Sequence, residues 1–214
     1  MVWKLVIGNK NYSSWSLRAW LYLTEGGVKF DEVRIPLYVG DWEAQLKKVS
    51  PTMQVPVLLE KGQAVWDSLA IMSYVESKVG WPKDFRGEAM SAAHEMHSGF
   101  TGLRAEMPMN LKMKKHSHDL SDDAQRDVDR VKAIWQTALA RHDGPYLYGD
   151  SLTITDVMYA PVVTRFISYG IPIDDPRTKA YMDAIVALAG MKAWHAAAIA
   201  ETEIIHKYDA LFLY

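Results

Sequence analysis

The chain has 214 residues, 49% of them hydrophobic and 23% charged, with a formal net charge of −2; this excludes a polybasic nucleic-acid or anionic-membrane binder and leaves room for two small domains. It contains no cysteine, so disulfides, thiolate zinc sites and a protein thiol nucleophile are excluded, and any sulfur chemistry must come from a bound molecule. No apolar run approaches the ~18–20 residues of a membrane span, and the opening run stops at Gly8 without signal-peptide features, so a soluble cytoplasmic protein is expected.

Residues 3–7 read as a buried strand ended by Gly8-Asn9-Lys10-Asn11. Residues 14–23 follow with helical spacing (Leu17, Trp20, Leu21) and stop at Gly26-Gly27. Residues 28–35 alternate like a second strand, parallel to the first if the helix is a crossover. Residues 41–48 predict one or two helical turns. Residues 55–59 and 64–66 flank Glu60-Lys61-Gly62-Gln63, a hairpin signal, and 67–78 predict a helix with Leu69, Met72 and Val75 on one face. The order is βαβ, a short helix, then ββα within residues 1–78. A linker over 79–88 leads to a helical region over 89–214. Its elements are a helix from 85 to about 115 kinked or ended at Pro108, a second over 122–141, a third over 153–168, and one or two across 177–200. The apolar, aromatic tail 208–214 is expected to pack back onto the body.

Four features have the residue types for chemistry, and each has a structural reading beside it. Asn11-Tyr12-Ser13-Ser14-Trp15-Ser16-Leu17-Arg18 joins the first strand to the first helix. Its serines cap the helix; equally, a hydroxyl beside the helix N-terminus donates to an anion and favours the thiolate of a bound thiol. Gln54-Val55-Pro56 puts proline at a strand start; a cis bond there would turn the Val55 backbone outward to pair with a peptide-like ligand. Asp67-Ser68 opens the third helix, either as a cap or as a second anion site in which Ser68 holds a carboxylate and Asp67 an ammonium. Thr153 with Asp156 forms a capping-box pair, with Leu152 and Val157 as its hydrophobic staple; this one reads as structural.

In order and spacing these features resemble the cytosolic glutathione transferase superfamily over essentially the whole chain. The resemblance implies a thioredoxin-like α/β domain followed by an all-α domain. It also implies glutathione as co-substrate, with its sulfur at Ser13, its cysteinyl backbone on Val55 before a cis Pro56, and its γ-glutamyl end on Asp67-Ser68. Tyr12 and Ser14 stand beside Ser13 as alternative sulfur contacts, since some classes use a tyrosine hydroxyl. Ser13-Ser14-Trp15-Ser16 with Arg18 is most similar to the zeta class, whose pattern is Ser-Ser-Cys-Ser followed by Trp-Arg; Gln54-Val55-Pro56 and Ser98-Gly99 match it as well. Trp15 stands where that class has cysteine, which separates this chain from whatever the cysteine does in the class's maleylacetoacetate isomerisation.

The resemblance implies a glutathione transferase, with a glutathione-dependent isomerase or a non-catalytic binding module as alternatives, and a homodimer. It also places the first helix of the all-α domain along the cleft that takes the electrophile. On that helix His97, Ser98, Thr101 and Arg104 fall on one stripe, with Met107 and Met109 beyond; Arg104 suits either an anionic substrate group or a salt bridge. His94 and His97 are spaced i, i+3 rather than the i, i+4 of a metal-hydrolase helix, so no metal is expected. Residues 112–118 read as a solvated basic loop, and no nucleic-acid or membrane partner is expected.

Overall fold

In the computed structural model of the chain, residues 3–79, 87–113 and 119–209 are described, apart from the side chains at 207 and 209. The expected turn at 80–83, residues 114–118 of the basic loop and the end of the tail at 210–214 lie outside them. Two compact units form: residues 1–81 together with 192–214, and residues 82–191.

The first unit is built on β1 (Trp3–Ile7), in which Leu5, Val6 and Ile7 are wholly buried. The crossover helix α1 (Ser14–Glu25) leads to β2 (Phe30–Arg34), which pairs parallel to β1. The strand starts at Phe30 rather than 28 because the helix end uses the preceding residues: Gly27 takes φ +62°, and the Val28 N–H returns to the Leu23 carbonyl. The short α2 (Trp42–Lys47) follows, then the antiparallel pair β3 (Val57–Glu60) and β4 (Gln63–Trp66), and α3 (Ser68–Val79). The sheet order is β2-β1-β3-β4, with β3 antiparallel to β1. Helices α1 and α3 pack on each other, burying Leu17 and Leu21 with Ile71, Met72 and Val75. Leu46 of α2 joins Val6, Ile35 and Val57 in a separate core cluster.

The second unit holds α4 (Gly87–Ser98), α5 (Thr101–Glu106), α6 (Asp122–Arg141), α7 (Ile154–Ser168), α8 (Pro176–Ala187) and the start of α9 (Ala189–Ala200). Helix α7 is largely apolar and buried along almost its whole length, the pattern of a central helix. Trp135 of α6 is wholly buried, with its ring centroid 5.3–5.8 Å from those of Tyr159, Phe166 and Tyr181.

Within the helix expected from 85 to about 115, Pro108 ends the helical run as expected, but a further break at Gly99-Phe100 divides it into α4 and α5. Phe100 takes φ +61°. The Leu103 N–H bonds the Asp127 carboxylate (3.0 Å), while Arg104 Nε takes the Gly99 carbonyl (2.9 Å). Gly102 lies so close to α6 that a Cβ would sit 2.8 Å from the Ala124 backbone nitrogen. Helix α5 then stops at Glu106, since Met107 precedes a proline and is driven out of the helical region.

From residue 192 the chain returns to the first unit, where Trp194 is wholly buried and α10 (His206–Asp209) ends the described chain. Of the tail, Tyr208 stacks on Tyr12 with centroids 5.9 Å apart.

Candidate functional site

Strand register assembles the site. β1 ends at Ile7; its antiparallel partner β3 pairs Val57 with Val6, and β4 pairs Trp66 with Val57. The loop after β1, the approach to β3 and the junction of β4 with α3 therefore meet at one end of the sheet. Ser13, Val55-Pro56 and Asp67-Ser68 occupy those three connections.

The loop over 8–13 is organised from within. Gly8 sits between Leu37 and Val55, where an added Cβ would stand 3.0 and 3.1 Å from their side chains. The buried Asn9 takes the Tyr12 and Ser13 N–H groups on its backbone carbonyl (3.2 and 2.8 Å) and the Leu37 N–H on Oδ1 (2.8 Å). Ser13 is the N-cap of α1: its Oγ accepts from the Ser16 N–H (3.2 Å) and donates to Ser16 Oγ (2.8 Å). Ser16 Oγ, wholly buried, also accepts from the Gly8 N–H (3.1 Å). The first turn of α1 carries no acidic side chain, so the positive end of its dipole is not offset there.

The three candidate hydroxyls differ in setting. Ser13 is half-buried at the helix mouth. Ser14 is buried in the first turn. The Tyr12 ring lies against Tyr208, and its hydroxyl accepts from the Ile205 N–H at 3.5 Å, so this side chain faces the returning C-terminal segment. Trp15, in the place of the zeta cysteine, has the buried Arg18 guanidinium over its ring at 4.6 Å.

The Val55–Pro56 peptide is cis, and Val55 lies just ahead of the β3 ladder, which begins at Val57. Gln54 is exposed, with its backbone N–H and carbonyl both held by the Ser50 hydroxyl (3.1 and 2.8 Å). Asp67 adopts φ +74°, uncommon for a side-chain-bearing residue, and its Oδ1 accepts from the Leu69 and Ala70 N–H groups (2.9 and 3.0 Å). Ser68 is buried, and its hydroxyl has no hydrogen-bond partner among the described residues. At this end of the sheet, then, stand two helix N-termini, the Val55 backbone ahead of the β3 ladder and a buried hydroxyl. Such a set suits an extended peptide-like molecule with an anionic group at each end.

The residues singled out in the helical unit are arranged differently from expectation. The stripe of His97, Ser98, Thr101 and Arg104 is split: His97 and Ser98 end α4, while Thr101 and Arg104 belong to α5. Arg104 donates to the carbonyls of Met96 and Gly99, joining the two helices across the break. Met107 and Met109 are buried in the core, His97 is half-buried, and Thr101 is exposed. Burial pushes the Arg104 guanidinium below its usual range; Arg165, wholly buried and close to Arg104, is lowered further, to about 9. No group of three or more potential metal ligands occurs among the described residues.

Sequence reasoning missed Asn9, Ser16 and Ser50, which hold Tyr12, Ser13 and Gln54 from behind. Only Ser16, three residues after Ser13 on one helix, left a local signal.

Comparison with known proteins identifies the family. The family descriptions "Glutathione S-transferase, N-terminal domain" and "Glutathione S-transferase, C-terminal domain" match residues 12–78 and 119–214, together most of the chain. The "Probable maleylacetoacetate isomerase" of Caenorhabditis elegans is 27% identical over 157 residues, covering 71% of this chain and 73% of that protein. A zeta class glutathione S-transferase of Euphorbia esula is 27% identical over 166 residues, covering 72% of this chain and 74% of its own. Among solved structures, a glutathione transferase homologue from Burkholderia GL BGR1 with bound glutathione superposes with a TM-score of 0.69 at 20% identity, covering 94% of this chain and 100% of that one. With both family domains matched and a thioredoxin-like sheet followed by helices in the expected order, the chain belongs to the glutathione S-transferase family.

Proposed function

We propose that this transferase binds glutathione across one end of the sheet and activates its sulfur at Ser13. The observation that carries the reading is the register that gathers Ser13, Val55 and Ser68 at that end, beside two helix N-termini. The γ-glutamyl carboxylate meets the buried Ser68 hydroxyl and the start of α3, with its ammonium at Asp67. Gln54 and Val55 flank the cysteinyl backbone. The sulfur lies at the mouth of α1, where the Ser13 hydroxyl donates to it. Ser13 is a donor and not a base: the thiol proton goes to solvent, and hydrogen bond and dipole stabilise the thiolate left behind. The thiolate forms a carbon–sulfur bond with an electrophilic carbon, and a leaving group departs with its electron pair or the resulting carbanion takes a proton. For the second substrate the helical unit offers the half-buried His97 and the exposed Thr101. The proposal includes a homodimer working in the cytoplasm on small electrophiles, a detoxifying role.

The test is the ultraviolet thiolate absorbance of bound glutathione against pH in wild type, Ser13→Ala, Ser14→Ala and Tyr12→Phe. Loss of a hydrogen bond to a charged acceptor corresponds to about one to two pKa units, so Ser13→Ala raises the thiol pKa by that amount and the other two raise it less. A larger effect of Tyr12→Phe moves the role to Tyr12. Failure of the wild type to be retained on immobilised glutathione removes the enzymatic reading altogether.

A second reading, glutathione-dependent cis–trans isomerisation, is favoured by the zeta-like Ser13-Ser14-x-Ser16 pattern and by the relatives of that class. The thiolate adds to a double bond, the former double bond rotates, and elimination restores it with glutathione released. Product analysis with maleylacetoacetate separates the two readings.

A further inference from the structure

The loop bearing Ser13 has acceptors for its N–H groups from two directions. Tyr12 and Ser13 turn back onto Asn9, and Gly8 reaches Ser16, all within the loop and helix. Lys10 and Asn11 reach across the sequence instead. Glu201 accepts from the Lys10 N–H on Oε1 (2.7 Å) and from the Asn11 N–H on Oε2 (3.0 Å), at separations of 191 and 190 residues. The carboxylate is itself held: its side chain is 5% exposed, and Oε1 also pairs with Arg34 (3.3 Å), whose other nitrogen pairs with Glu203 (2.7 Å). The same peptide unit is fixed on its other side, because Trp194 Nε1 donates to the Lys10 carbonyl (2.9 Å). The Lys10 ammonium meets Glu32 (2.8 Å) and lies 5.1 and 5.2 Å from the rings of Trp20 and Trp194.

We infer that Glu201 is a positioning residue for the thiol-binding hydroxyl, acting through the Lys10 and Asn11 backbone on Ser13. The inference rests on the proposed role of Ser13. Lys10 and Asn11 are both buried, so without the carboxylate their N–H groups lose the acceptor that holds them, and the loop must open to hydrate them. Ser13 follows Asn11 by two residues, and a hydroxyl donor loses its effect on a sulfur when displaced by as little as an ångström. Glu203, which shares Arg34 but touches no loop amide in the same way, supplies the internal control.

The experiment compares wild type with Glu201→Gln, Glu201→Ala and Glu203→Gln by two readouts. The first is amide hydrogen exchange over residues 9–13 without ligand; the second is the thiolate pKa of bound glutathione. Gln keeps one accepting oxygen and turns an NH2 toward the other amide, so Glu201→Gln speeds exchange at the loop by roughly tenfold and raises the thiol pKa by about half a unit to one unit. Glu201→Ala does more of both, and Glu203→Gln leaves both at the wild-type value. If Glu201→Ala does not fold, Glu201→Gln decides. A folded Glu201→Gln with wild-type thiol pKa overturns the positioning role even where exchange has quickened. Unchanged exchange overturns the clamp itself. A wild type whose bound thiol has an ordinary pKa refutes the proposed function instead, and the exchange data still judge the clamp.

Discussion

Asp156→Asn keeps the shape of a wholly buried carboxylate while halving its accepting capacity, and the surrounding geometry sets the cost. Oδ1 accepts from the Leu147 N–H (3.0 Å), and Oδ2 accepts from both the N–H and the hydroxyl of Thr153 (2.8 and 2.7 Å). An amide offers one oxygen. Facing Thr153, that oxygen leaves the Leu147 N–H opposite Nδ2; facing Leu147, it leaves the Thr153 N–H opposite Nδ2. A protonated carboxyl escapes this conflict, since Oδ2–H can donate to the Thr153 hydroxyl and still accept from its N–H. One orphaned backbone N–H and one orphaned amide hydrogen, at about 1–3 kcal/mol each, give a loss of ~2–6 kcal/mol against the protonated acid.

The pH dependence of that loss follows from the carboxyl's titration. Burial pushes Asp156 up to about 6, against the pull of the Leu147 and Thr153 donors. Its folded pKa therefore lies above an unfolded value of about 3.9, so its contribution to stability is full below that value and is lost as pH rises through about 6. Two units correspond to ~3 kcal/mol. Asparagine has no such dependence. The penalty of Asp156→Asn is thus largest below about pH 3.9 and shrinks by ~2 kcal/mol between pH 4.5 and pH 7.5. Urea unfolding of both proteins across this range, followed by far-ultraviolet circular dichroism, measures it. A penalty that is flat or grows with pH would mean that the carboxylate stays ionised on its three donors and that burial does not dominate its titration.

Gly102→Ala places a methyl 2.8–2.9 Å from backbone atoms of Asp123 and Ala124, which cannot turn away; it should destabilise by ~1–3 kcal/mol in chemical denaturation. Ser68→Ala removes a buried hydroxyl with no partner among the described residues, so stability should hold or rise slightly while KM for glutathione rises about tenfold, a loss of ~1.4 kcal/mol read from steady-state rates. Arg34→Met breaks pairs whose arginine is a third exposed, so it should cost less than about 1 kcal/mol. Because Arg34 holds the Glu203 carboxyl below its usual range, that small contribution is present above the ordinary glutamate pKa and fades as pH falls through the lowered one; thermal melts at pH 7 and pH 3.5 check the sign.

What could be read from the sequence is what local chemistry determines. β1, α1 and the β3–β4 hairpin follow from apolar period and glycine punctuation, and α6 and α7 from long amphipathic or apolar runs bounded by caps. The break between α4 and α5 was not legible, because the acceptor that draws the Leu103 N–H out of the helix is Asp127, a separate element away. Nor was the return of the chain at 192: Trp194 and Glu201 look like any apolar and charged residue of a helix end until the Lys10 peptide lies between them. At the candidate site the residue types were readable as caps and a strand-start proline. Their meeting at one end of the sheet is a property of register, which no single segment encodes.

Ser13 shows why a cap and a ligand contact need not compete. A hydroxyl has two accepting positions and one proton. The cap uses an accepting position, for the Ser16 N–H, whereas the proton goes to Ser16 Oγ. On the proposed mechanism the group that an arriving sulfur must outcompete is therefore the Ser16 hydroxyl and not the helix. It is a contest between a neutral acceptor and a charged one, and charge-assisted hydrogen bonds are roughly twice as strong as neutral ones. Ser16 retains the Gly8 N–H when the Ser13 proton turns away, and its own proton can then point back at Ser13 Oγ. That return bond would make the Ser13 hydroxyl a better donor toward the sulfur, so the helix cap stays intact while the thiolate is held.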